Sequence, residues 1–233
     1  MKLLQPNQEF HENVIKYNRI DSLLAFGLFC IMIMLYTILG VLARKYHVIE
    51  ESRFAGSGTN ILMIIITILL VKVRKEKLSS VGLYRGKWKQ SCLIGLVLAL
   101  ILFFNNCLSH IICGADFIEI KSIIKLVIYF LTVALCEEIV FRGYIGTRLY
   151  GLLKNQYLVM IATGILFVVM HFPYRMIAYG MTITELTIHN IGWILDLFIT
   201  HIVLSLVYVK TNSLYGSIIP HWMSNLAYNL VAG

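Results

Sequence analysis

Long apolar runs separated by short polar or basic stretches make up most of this chain, and the runs are long enough for helices that cross a bilayer core of roughly 30 Å. Seven spans are predicted, at about 22–43, 57–73, 90–112, 123–150, 157–172, 190–209 and 213–232. The first begins near Ser22 and extends to about Ala43, so it reads as a span rather than the short apolar region of a cleaved signal peptide. Neither a tandem repeat nor a low-complexity linker divides the chain. The expected fold class is all-α: a polytopic transmembrane helical bundle of about seven spans, forming a single membrane domain over residues 1–233.

Composition strengthens the membrane reading. Hydrophobic residues are 59% of the chain, charged residues 14%, and the mean hydropathy is +0.80. Soluble domains carry about a quarter charged residues. The net charge of +8 does not point to nucleic acid, because the densest basic run, from Lys72 to Lys89, lies between two apolar spans. That placement suits a cytoplasmic loop beside anionic headgroups. With the amino terminus inside, the inner segments hold 14 basic residues: Lys2, Lys16, Arg19, seven from Lys72 to Lys89 including Arg85, then Arg142, Arg148, Lys154 and Lys210. The outer ones hold six: Arg44, Lys45, Arg53, Lys121, Lys125 and Arg175. The 151–156 and 210–212 turns then share the cytoplasmic side. The five cysteines form neither a disulfide framework nor a zinc ribbon, and four of them read as buried, inert thiols.

Ionisable side chains inside a bilayer are costly and mark function by default, and here they concentrate after residue 130. The fourth span contains Glu137, Glu138 and Arg142. On a helix Glu138 and Arg142 can pair, while Glu137 is turned about 100° away. One carboxylate held by a cation and a second left free is a layout for a general base. The fifth span places Phe167 one turn before His171, and the seventh places His221 and Asn225 one turn apart on one face. Glu137 lies 14 residues before Gly151 and His171 lies 14 after Tyr157, so both sit roughly 21 Å from the shared turn. His221 and Asn225 lie roughly 12 and 18 Å beyond Ser213. All four can meet in one layer, expected to open toward the cytoplasm. A carboxylate helped by a histidine can take a proton from water, and a carboxamide with a histidine can stabilise an oxyanion.

These EExxxR, FxxxH and HxxxN motifs resemble those of the CAAX protease and bacteriocin-processing (CPBP, Abi) family of intramembrane endopeptidases, which includes the Ras-converting CAAX endopeptidases. The resemblance covers about residues 80–230, with the Val81-Gly82-Leu83-Tyr84-Arg85 lead-in and the Phe141-Arg142-Gly143-Tyr144 continuation. It implies a catalytic core over 81–233, variable amino-terminal spans over 1–80, and a conical or cavity-containing interior. It further implies that Glu137 activates water with His171 beside it, that His221 and Asn225 form the oxyanion side, and that Glu138, Arg142 and Phe167 support them. No cofactor is expected; a zinc ion on Glu137, His171 and His221 ranks second.

Competing readings are weaker. Cys136 adjoins the glutamates but reads as packing, and His201 and Asp196 as structural. The HExxH, GxSG and GxGD patterns of other membrane proteases are absent from the sequence. A non-catalytic peptide-binding or bacteriocin self-immunity protein is the alternative function. Expected partners are the bilayer and a peptide or protein substrate, lipid-anchored or a leader or signalling peptide, with no nucleic acid. The Ile- and Lys-rich composition points to a bacterial plasma membrane.

Overall fold

The structure, a computed structural model, describes residues 6–47, 52–83, 87–114 and 116–230, and their side chains except at 52–54 and 109–111. Lys2, Tyr84, Arg85 and the side chain of Arg53 lie outside the described residues. The elements are α1 (Gln8–Val14), α2 (Arg19–Tyr46), α3 (Ser52–Val73), α4 (Trp88–Ile112), α5 (Ile120–Glu137), a π-wound segment (Glu138–Ile145), α6 (Gly146–Arg148), α7 (Tyr150–Leu153), α8 (Gln156–Met170), α9 (Phe172–Tyr179), α10 (Ile183–His189), α11 (Ile191–Thr211) and α12 (Tyr215–Ala227). No strand occurs among the described residues.

Local chemistry sets the ends. Asn18 and Asp21 form a reciprocal cap at the start of α2, and Asn155 accepts hydrogen bonds from the first amides of α8. His47 and Asn212 adopt the left-handed conformation that ends α2 and α11. Five helical stretches are long and apolar enough to cross a membrane: 19–46, 55–73, 88–108, 156–179 and 191–211. They coincide with five of the predicted spans. Large apolar side chains such as Leu23, Phe26, Leu100, Ile165 and Ile199 stand exposed along them, as lipid-facing positions do.

The other two predicted spans, 123–150 and 213–232, are helical but built differently. α5 carries Lys121, Lys125 and Glu137 and gives way to the π-wound segment, while α12 has 13 residues with Pro220 inside it. At 1.5 Å per residue α12 is about 20 Å long. α12 lies close on α4, because Gly95 meets Gly216: a Cβ on Gly95 would stand 3.0 Å from the Gly216 Cα. Ser91 completes the joint, accepting from the Gly216 amide at 2.8 Å and donating to the Ser213 carbonyl at 3.0 Å. This contact fixes the position from which α12 presents His221.

Arg148, counted with the inner-side basic residues, has a more specific place. It is buried, paired with Glu76 at 2.6 Å, bonded to Ser80, and flanked by the rings of Tyr17 and Tyr144. Among the residues whose side chains are described, and setting aside the buried Arg142 and Arg148, ten basic residues stand at the end expected to be inner against five at the other. The bias persists.

Candidate active site

Glu137 closes α5, and Glu138 opens the π-wound segment that follows. Such windings are uncommon and recur at functional sites because they re-aim successive side chains. Glu138 is fully buried and ion-paired with Arg142, as its spacing predicted. Arg142 also donates to the His201 carbonyl at 3.1 Å. From α12, His221 turns Nδ1 to the Glu138 carboxylate at 2.7 Å and Nε2 to Glu137 Oε2 at 3.4 Å. The two neighbouring carboxylates thus grip opposite nitrogens of one imidazole.

That grip has a protonation consequence. A hydrogen bond to a carboxylate commits Nδ1 as the donor. Nε2 and Glu137 would then meet lone pair to lone pair unless one of them carries a proton. Either placement leaves the four groups Glu137, Glu138, Arg142 and His221 with no net charge, so the proton can change sides without creating an uncompensated charge in the low-dielectric interior.

His171 stands at the junction of α8 and α9. Its Nδ1 donates to the Phe167 carbonyl at 2.7 Å, which leaves Nε2 as the acceptor, 3.9 Å from Glu137 Oε1. That separation is too long for a direct hydrogen bond and is within what one bridging solvent molecule spans. Phe167 lies beneath the cluster. Its ring centroid is 5.0 Å from that of His171, 5.1 Å from His201, 5.2 Å from Phe141 and 6.3 Å from His221.

Glu137, His171, His221 and Asn225 all line one cavity of about 340 Å³. Asn225 takes its place there one turn beyond His221. The amino-terminal helices build the facing wall with Tyr36, Leu39, Gly56 and Asn60, and the Tyr36 hydroxyl donates to Asn60 at 2.6 Å. Cys136 is enclosed in the apolar core, Asp196 points outward, and His201 bonds Thr163 at 3.1 Å without lining the cavity.

The cavity lining extends away from the 151–156 turn. Leu39, Gly56, Arg175, Tyr179 and Trp193 line the cavity near the helix ends farthest from the 151–156 turn. On the turn side Phe141, Tyr144, Ile145, Phe167 and Arg148 are buried in the interior. Residue depth measured distance from the turn but carried no information about which end was plugged. The cavity lining therefore reaches toward the end opposite the basic one.

Residues 119–227, just under half of the chain, match the sequence model of the Rce1-like family, described as type II CAAX prenyl endopeptidases. This segment is similar to the Rce1-like family. Its bounds contain every residue of the acid–imidazole cluster, from Glu137 to Asn225. No curated protein and no solved structure matches the chain. The Rce1-like segment begins at Glu119, so the 81–85 lead-in falls outside it. There Val81 still touches the cluster's support, since a Cβ on Gly143 would stand 2.7 Å from the Val81 carbonyl oxygen.

Among the cavity residues that escaped the sequence reading, two bear on the cluster. Arg175 was counted as an outer-loop charge, yet it follows His171 by one helical turn and lines the cavity. Trp193 faces it from α11, its ring 5.7 Å from that of His171. The four-residue spacing from His171 was the available signal.

Proposed function

We propose that the protein is an intramembrane endopeptidase that hydrolyses a peptide bond of a membrane-associated peptide or protein, with Glu137 as the general base. The observation that carries this reading is the coupling of Glu137 to His221 across 3.4 Å, with His171 Nε2 facing the same carboxylate. When the shared proton sits on His221, Glu137 is a free base and His221 an electrophile. Water between Glu137 and His171 gives up its proton to Glu137 as its oxygen attacks the carbonyl carbon. The resulting oxyanion is met by the Asn225 amide and His221 Nε2–H. The proton held on Glu137 then passes to the departing amine nitrogen as the carbon–nitrogen bond breaks. The Rce1-like match of the segment supports peptidase chemistry over simple peptide binding.

A zinc reading has one feature in its favour: both imidazoles hold Nδ1 on an acceptor and aim Nε2 at Glu137, as zinc-bound histidines do. Against it, among the described residues no three such donors come together as a metal-binding group. Purified protein in detergent, incubated with peptides co-expressed from its own genomic neighbourhood, should release fragments resolvable by mass spectrometry. Chelators should leave the rate unchanged. Loss of activity on chelation and its return with zinc would transfer the mechanism to the metal.

The charge bias supports a cytoplasmic basic end; a mouth at the other end, toward which the cavity lining reaches, then faces the opposite side of a plasma membrane. That geometry favours a peptide presented from outside over a prenylated tail presented in the cytoplasm, to which the family description points. Cys113, exposed just past α4 at the mouth end, reports the difference. A membrane-impermeant maleimide should label it in intact cells, and Cys113→Ser should remove the label. Labelling only after permeabilisation reverses the orientation and restores the cytoplasmic substrate.

A further inference from the structure

Asn60, on the cavity wall that faces the acid–imidazole cluster, carries donors with no acceptor among the described residues. It sits in α3, is only 2% exposed, and lines the same cavity as Glu137, His171 and His221. The Tyr36 hydroxyl donates to its Oδ1 at 2.6 Å, which fixes the plane of the carboxamide and leaves both Nδ2 hydrogens to be placed. A buried amide group that lacks its hydrogen bonds is costly to keep. One turn earlier on the same face, Gly56 adds no side chain to the wall. The cavity is lined by helices, and helix main chains spend their N–H and C=O groups internally. Its walls therefore offer no strand edge on which an extended peptide could pair. A peptide drawn out of water still needs its own main-chain groups met. A side-chain carboxamide can meet them, because it repeats the donor and acceptor of a peptide unit.

We propose that Asn60, oriented by Tyr36, is a main-chain subsite whose Nδ2–H donates to a backbone carbonyl of the peptide being cut, holding it extended on the wall opposite Glu137. The proposal rests on the endopeptidase reading and adds to it how the substrate is held. Asn225 serves the reacting carbonyl, and Asn60 serves a neighbouring one. A carbonyl common to every residue gives position without choosing sequence. Selection by side chain falls instead to apolar lining residues such as Leu39, Phe130, Val133 and Leu197. A peptide fixed on α3 presents its scissile bond to the water beside Glu137 in a constant place, which is where positioning lowers a barrier. Tyr36 and Asn60 both lie outside residues 119–227. The amino-terminal spans thus hold the substrate while the Rce1-like segment cuts it.

A lipid ester carbonyl would accept the same donor, so the test separates the two sources. Glu137→Gln protein labelled with 5-fluorotryptophan has three fluorine resonances, from Trp88, Trp193 and Trp222. Trp193 lines the cavity, and Trp193→Phe assigns its signal. The probes are acetyl-Leu-Val-Ile-Leu-Val-amide and a set in which each amide in turn is replaced by an ester, whose carbonyl is the weaker acceptor. Replacement at one position should raise the concentration needed to shift Trp193 by about five- to tenfold, the size of one net hydrogen bond. Tyr36→Phe with Asn60→Leu removes both bonded partners together and so keeps the fold. In that double variant the position should respond like the others. Tyr36→Phe alone should keep part of the preference. Binding is read in a protein that need not hydrolyse, so failure of the Glu137 mechanism and failure of the subsite are told apart. On any cleaved substrate Asn60→Leu should raise KM and change kcat little. An ester penalty that persists in full in the double variant, or a Trp193 signal indifferent to the peptide, overturns the proposal. So does an Asn60-dependent difference in Trp193 between ester-linked and ether-linked phosphatidylcholine nanodiscs that the peptide cannot displace.

Discussion

Glu137→Gln should lower peptide hydrolysis by about a thousandfold, the size of effect expected when a general base is lost. The substitution keeps the shape of the side chain and allows its amide to stay bonded to His221. It removes only the ability to accept a proton from water. Glu137 has no arginine partner, because Arg142 is spent on Glu138, so the change should leave melting temperature and gel-filtration behaviour unaltered. His171→Ala should cost a similar factor. The double variant should cost little more than either single one, since in the proposed mechanism both groups act on the same water and their effects do not add. Fragment yield measured by mass spectrometry at matched protein concentration decides the matter. Hydrolysis at the wild-type rate by Glu137→Gln would remove Glu137 from the mechanism. Independent, multiplying losses from the two single changes would mean that they serve different steps.

What could be read in advance follows from what a helix fixes locally. The Glu138–Arg142 pair and the Phe167–His171 stack are four-residue relations on a continuous helix, and both are present. The common depth of Glu137 and His171 followed from counting residues on either side of one turn, which an antiparallel hairpin preserves. The grip of both glutamates on His221 was not legible. It depends on how far α12 is rotated about its axis and how closely Gly95 and Gly216 let it approach α4. The π-wound segment left no periodic signature, because eight residues are too few to show a period longer than that of the α-helix. The side on which the cavity opens is decided by what fills the other end. There Arg148 belongs to a buried network with Glu76 and Ser80, which couples the stretch just after α3, the 78–81 turn and the segment after the glutamates across more than sixty residues of sequence. Counting Arg148 among the inner-side charges gave no sign of its burial.

Arg142→Met is the substitution expected to cost most stability, about 3–5 kcal/mol, because it leaves a buried carboxylate without its cation. In this chain the loss should appear as a fall in melting temperature on the order of 10 °C in detergent. The methionine fills a similar volume but gives up both the Glu138 pair and the bond to the His201 carbonyl. Adding Glu138→Gln to Arg142→Met should recover part of the loss, since the amide oxygen can still accept from His221 Nδ1 and no charge is stranded. This cycle tests more than packing. If Arg142→Met melts as the wild type does, Glu138 carries no charge when folded. The four groups would then no longer balance, and moving a proton from Glu137 to His221 would create an ion pair in the bundle with nothing behind it. A large loss in the single variant, recovered in the double, establishes Glu138 as the fixed anion that lets His221 hold the proton while Glu137 stays free to take another from water.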